Sequence, residues 1–136
     1  MAAEKIELEI TTPERLVLLE TVDEVVLPGN QGYLGVLPGH APLLTGLSAG
    51  ELAYRVGNRY NYLAVSTGFA EILRDKVSVL ADTAERAEEI DLARAESARE
   101  QATKSMSDRA SDLEFRKAGV KLRKATARIK VKQRHQ

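Results

Sequence analysis

Apolar residues in the first half of the chain recur at every second position. Ile6, Leu8 and Ile10 alternate with charged residues, Leu52, Tyr54 and Val56 repeat the pattern, and Tyr60, Tyr62, Ala64 and Ser66 share a face opposite Leu63 and Val65. A period of two is that of a strand with one face turned to a core. Gly57-Asn58-Arg59, between Val56 and Tyr60, is a hairpin signal, and Asp75-Lys76 separates residues 69–73 from 77–81 in the same way. The pattern predicts about eight to ten short, mostly antiparallel strands. So many strands in so short a segment imply two sheets packed face to face, or a flattened barrel.

Beyond Ala81 the texture changes to helix formers. Residues 90–104 contain no glycine or proline, alanines recur at 93, 95, 98 and 102, and Asp91 is placed to cap a helix and to suit its positive end. Residues 105–112, SMSDRASD, read as a polar turn, and Ser111 with Glu114 forms an S-x-x-E capping box that opens a second helix. There Phe115, Ala118, Leu122, Ala125 and Ile129 follow three-four spacing, a narrow seam for one partner helix. The fold class is therefore α+β in two domains: an antiparallel β-sandwich over residues 1–84 and an antiparallel helical hairpin over 85–136. An alanine methyl contributes little beside the roughly 1.5 to 3 kcal/mol of a buried leucine, and Gly119 weakens the second helix by about 1 kcal/mol. A hairpin so weakly held is suited to opening as a switch; the plainer alternative is a stable pad on the sheet.

Charge divides the chain at the same place. Twenty basic and twenty acidic residues cancel overall, but residues 1–82 carry a net −5 and residues 83–136 a net +5. From residue 115 to the end there are nine lysines or arginines and no acid. Such a helix meets something negative or stays in water. Nucleic acid is a poor match, since no aromatic residues are interleaved for stacking and the β half is acidic. No apolar run approaches the about 18 residues that cross a bilayer, and MAAEKIELEI carries acids where a secretory signal is basic then apolar. The expectation is a soluble chain that is not exported. Cysteine is absent, which excludes disulfides and thiolate metal sites.

Catalysis finds no support in the residues. A catalytic site needs a nucleophile, a base and an oriented partner, and the chain has two histidines, His40 and the near-terminal His135. His40 reads as a loop histidine bonded to nearby backbone. The glycines of GNQG and GYLG are not followed by a helix bearing Lys-Ser/Thr, which removes the phosphate-loop reading, and no cluster of ligands suits a metal.

The densest punctuation lies in residues 32–44, GYLGVLPGHAPLL, with three glycines and two prolines in thirteen residues. Such a segment is a shaped loop between strands. It resembles the signature loop of the epsilon subunit of F-type ATP synthase, G-x-L-G-[VI]-x-P-x-H-x-P-L, at Gly32, Leu34, Gly35, Val36, Pro38, Gly39, His40, Pro42, Leu43 and Leu44. STGFAEI (residues 66–72) is similar to that family's glycine-containing turn, and VLADTAERAEEIDLARA (residues 79–95) to its domain junction.

The resemblance implies a non-catalytic central-stalk subunit that couples proton flow to ATP synthesis and restrains ATP hydrolysis. It places the chain on the cytoplasmic face of a bacterial membrane as a peripheral component. By it, the sandwich would grip the gamma subunit, while Tyr33, Gly35, Pro38, His40 and Pro42 would face the c-ring of the membrane sector. Arg116, Lys121, Arg123, Lys124 and Arg128 on the second helix would meet acidic segments of the beta and gamma subunits. Ile90, Asp91, Arg94 and Ala95 fit an I/L-D-x-x-R-A motif associated in some members with binding ATP, to which Arg99 and Arg128 could add. No cofactor is required; ATP would be a regulatory ligand. The alternative is a free-standing β-domain adaptor whose basic tail recruits an acidic partner.

Overall fold

The computed structural model describes residues 4–108 and 111–135. Ten strands come first: β1 (Ile6–Thr11), β2 (Leu16–Val22), β3 (Glu24–Gly29), β4 (Gly32–Val36), β5 (Leu43–Leu47), β6 (Gly50–Val56), β7 (Arg59–Val65), β8 (Gly68–Ile72), β9 (Lys76–Ala81) and β10 (Ala84–Arg86). They follow one hydrogen-bonded path, β10-β7-β6-β3-β5-β8-β9-β1-β2, with β4 paired to β3. β3 and β5 share a single residue pair, Gly29 with Leu47. The path therefore divides there into two leaves, which bury their inner faces in one core. Ile6, Leu8, Ile10, Ile72 and Val77 of one leaf meet Val25, Leu27, Leu52 and Leu63 of the other. Every pairing is antiparallel except β1 with β9. The hairpins fall where the sequence places them, with Val56 opposite Arg59 and Ile72 opposite Val77.

Tyr54 shows how a polar tip is admitted to this core: it is 8% exposed, and burial first, then Glu20, pushes its phenol up to about 12.

A 3-10 turn (Ala87–Glu89) leads into α1 (Leu92–Ser107) and α2 (Asp112–His135). Asp91 caps α1, accepting from the Arg94 backbone N–H at 3.1 Å, and the Ser111 hydroxyl accepts from that of Glu114 at 3.1 Å. Of the polar turn expected at 105–112, α1 takes up part by continuing to Ser107, and residues 109 and 110 lie outside the described residues. β10 crosses the expected 84/85 boundary, pairing Arg86 with Leu63.

The single seam expected on α2 needs correcting. Ala118, Ala125 and Ile129 are buried as the spacing predicts, with Phe115 and Leu122 half-buried. A second stripe, Ala127 and Val131, is buried with Ala64, Ala87 and Ile90 against the flank of Tyr62. α2 is thus wedged between α1 and the outer face of β6 and β7. The wedge explains why Gly50, Glu51, Leu52, Ala53 and Tyr54 are all buried although they alternate between faces: the core covers one side of β6 and α2 the other.

Candidate functional site

Four surfaces stand out. At one end, Leu37, Pro38, Gly39 and His40 form a β-turn, closed by the His40 N–H donating to the Leu37 carbonyl at 3.2 Å. Proline in its second position and glycine at φ 87° in its third are the residues a type II turn requires. The Gly39 N–H donates to the Arg74 carbonyl at 2.7 Å, tying the loop to the β8–β9 turn. His40 Nδ1 lies 2.6 Å from the Ala41 carbonyl oxygen and the residue is half-buried, so it shapes the loop. Pro38 is half-buried and Pro42 exposed. Tyr33 is 63% exposed, with its hydroxyl 3.5 Å from the Glu51 backbone N–H. Gly35 is exposed, has no positive φ, and offers open space to an added Cβ. Nothing in the chain itself requires glycine there.

Between the sandwich and the hairpin lies a cleft of about 370 Å³, to which Asp91, Arg94, Ala95 and Arg128 all contribute. Ile90 does not line it; it is buried in the apolar cluster under α2. Arg99 is exposed and also absent from the lining. Arg128 Nε donates to Glu85 at 2.6 Å and Arg15 Nη2 to Glu89 at 2.5 Å, whereas the Arg94 guanidinium pairs with no carboxylate among the described residues. Glu14, Asp82, Glu85, Glu89 and Asp91 face three arginines, so the cleft has an excess of negative charge.

The basic helix divides in two. Its last turns point at the sandwich, through Arg128 to Glu85, Lys132 Nζ to the Ala87 carbonyl at 2.9 Å and Arg134 Nε to Glu51 at 2.5 Å. Glu51 holds the Arg134 guanidinium above its ordinary pKa. By contrast Arg116, Lys117, Lys121, Arg123, Lys124 and Lys130 have no carboxylate partner among the described residues. Four of the five cations expected to form an interface are therefore free, and Arg128 is not.

Sequence reasoning missed the fourth surface. Leu16, Leu19, Leu44, Phe69 and Leu80 are each more than half exposed on the outer face of the leaf made by β5, β8, β9, β1 and β2. Register brings them together: Phe69 lies opposite Leu80, Leu80 opposite Thr11, and Thr11 opposite Leu16. The available signal was phase, because Phe69 and Leu80 are apolar residues on the polar beat of strands whose inward beat is Ala70-Ile72 and Val77-Val79-Ala81.

Residues 5–87 match the family model for the ATP synthase delta/epsilon chain beta-sandwich domain, and residues 88–133 match that for its long alpha-helix domain. The chain belongs to the ATP synthase delta/epsilon family. It is 50% identical over 129 residues to the ATP synthase epsilon chain of Syntrophobacter fumaroxidans, covering 95% of this chain and 96% of that one. With the epsilon chain of Herpetosiphon aurantiacus it shares 51% over 126 residues, 93% of each. Among solved structures, a chain of the Euglena gracilis mitochondrial ATP synthase (OSCP/F1/c-ring, rotational state 1) superposes with a TM-score of 0.81 at 25% identity, over 93% of this chain and 81% of that one. Membership in this family makes the chain a non-catalytic stalk subunit of a larger enzyme. Among the described residues no helix is long and apolar enough to cross a membrane.

Proposed function

We propose that this subunit is a rotor element that couples proton flow to ATP synthesis and restrains ATP hydrolysis through its C-terminal helices. The observation that carries the reading is the pairing of a small-residue contact under α2 with six unpaired cations along it. A helix held loosely and charged on its free face can leave the sandwich for acidic segments of the beta and gamma subunits. The apolar outer face at Phe69 and Leu80 supports a permanent grip on gamma, since an exposed apolar patch marks an interface. Of the residues expected at the c-ring, Pro38, His40 and Pro42 share the loop beyond one end of β4 and would face it, whereas Tyr33, near the other end of β4, lines a cavity with Leu122, Arg123 and Lys130 of α2. Open space at Gly35 suits close approach by a partner backbone. In this reading the chain sits peripherally at the cytoplasmic face of a bacterial membrane.

The test is ATP hydrolysis by an alpha-beta-gamma subcomplex, with the chain added whole or cut after Ala87, which keeps β10. Both forms are expected to bind, and only the whole chain to slow hydrolysis severalfold. If both bind and neither slows it, the hairpin is not an inhibitory arm; if neither binds, the stalk assignment fails.

Regulatory ATP in the cleft is a second reading, supported by Arg94 and Arg128 facing one cavity beside a helix N-terminus. Phosphate would have to displace Glu85 from Arg128 against the local excess of carboxylates, so binding is expected to be weak. In calorimetric titration, Arg94→Gln should weaken it further. Equal heats from both proteins would remove Arg94 from the site, and no heat from either would remove ATP.

A further inference from the structure

The apolar contact between α2 and the sandwich consists of Ala127 and Val131 on Ala64, Ala87 and Ile90, beside Tyr62. A contact built from so few small side chains gives docking little strength or direction. What surrounds it is polar and specific. Arg128, Lys132 and Arg134 reach three different elements: β10 at Glu85, the 3-10 turn at the Ala87 carbonyl, and β6 at Glu51. The Arg134 guanidinium also lies 4.8 Å above the ring of Tyr62 on β7.

The three contacts are unequal. Glu85 and Arg128 have side chains 27% and 34% exposed, so both keep access to water and neither is left covered if the pair parts. The Glu51 side chain is 10% exposed, and Arg134 is the one side chain recorded as donating to it among the described residues. Glu51 lies on the face of β6 that α2 covers. The helix itself therefore buries this carboxylate and supplies its counter-charge.

We propose that Arg134 and Glu51 are the clasp that holds the hairpin down, so that release begins at the C-terminal turns of α2 and is driven by whatever takes Arg134 away from Glu51. Salt does so by screening. An acidic partner segment does so by competing for the same guanidinium, which gives the regulatory reading above its trigger, although the clasp can be tested on the isolated chain without that reading.

The burial asymmetry predicts an asymmetric response to substitution. Arg134→Gln leaves a charged carboxylate covered and unpaired, which favours the open state that rehydrates it. Glu51→Gln leaves a half-exposed guanidinium that can turn to water, so it should open the clasp less. An ordinary surface pair would lose equally from either side.

Because the chain has no cysteine, Ala127→Cys supplies a single thiol at a position 3% exposed under the docked helix. Ala125→Cys supplies one at a position 1% exposed beside Ala98 and Ala102 of α1. Reaction of the first with a thiol reagent reports undocking, and of the second separation of the hairpin. In the Ala127→Cys background, Arg134→Gln should raise the labelling rate by about tenfold, the scale of one charged hydrogen bond lost at a buried group. Glu51→Gln should raise it by less, and added salt should raise it in the parent but hardly in Arg134→Gln. Rates at Ala125→Cys should rise less, because release begins at the C-terminal turns of α2 while α1 still covers Ala125. Equal labelling at 127 in parent and both variants overturns the clasp, as does a parallel rise at 125 and 127, which would mean general loosening.

Discussion

Gly68→Ala is expected to cost the chain about 3 kcal/mol, at or above the upper end of ordinary overpacking, and to lower its thermal midpoint by about 10 °C. A Cβ built at Gly68 would lie 2.0 Å from the Leu80 carbonyl oxygen and 2.8 Å from the Ala81 Cα. Both are backbone atoms of β9, the strand with which β8 pairs Gly68 to Ala81 and Ile72 to Val77. No rotamer change relieves such a clash. The two strands must separate where Ala70, Ile72, Val77 and Val79 enter the core. Two other glycines calibrate the expectation. A Cβ at Gly46 would meet Asn30 Nδ2 at 2.1 Å, but that is the tip of a side chain whose other amide atom bonds Ser48; it can swing aside, so Gly46→Ala should cost less. Gly35→Ala should fall within about 0.5 kcal/mol of the parent, as at an ordinary surface site. Thermal and denaturant melts of the three variants check the order. Gly68→Ala melting with the parent would show that the strands tolerate the extra methyl and that this glycine is not steric in origin.

The same segment shows what could be read from the sequence. STGFAEI was legible as a resemblance, but the reason for its glycine lies at Leu80 and Ala81, twelve and thirteen residues on. Strands and hairpins were legible because each depends on neighbours in sequence: the beat of Ile6, Leu8 and Ile10 survives intact as three fully buried residues. The caps at Asp91 and Ser111 are local in the same sense. What failed was two-sided burial. Ala127 and Val131 sit among lysines and arginines, and nothing nearby announces that β6 and β7 will receive them. Glu51 looks like one more charge on an alternating strand, and only α2, more than sixty residues later, turns it into a covered group. The apolar outer face is likewise assembled by register, from strands far apart in the chain. Ile90, read as part of a ligand motif, proves to be core because the turn that positions Asp91 and Arg94 also carries it beneath α2.

The two domains should differ sharply when separated. A chain ending at Ala87 is expected to keep a cooperative thermal transition near that of the parent, because every residue of the main core cluster lies between Ile6 and Ala84 and β10 remains whole. Residues 88–136 alone are expected to lose more than half of their helical ellipticity. Five of their seven buried helical residues are alanines, Ala95, Ala102, Ala118, Ala125 and Ala127, with only Ile129 and Val131 beside them. Val131 and Ala127 are buried by the sandwich that the cut removes. Meanwhile Lys117 with Lys121, Lys121 with Lys124, Lys124 with Arg128, and Arg128 with Lys132 set like charges three or four positions apart, each opposing the helix by a few tenths of a kcal/mol. Most helical stability in a protein comes from packing of a buried face rather than from propensity, and the cut removes part of that packing. Far-UV circular dichroism of the two fragments decides the matter. A peptide as helical as in the whole chain would make the hairpin an autonomous domain that docks as a rigid body. Loss of helix would mean that the undocked hairpin has to find a second surface or fray. In that case the docked state is its default, and only an acidic surface able to repay both the clasp and the lost helix can draw it away.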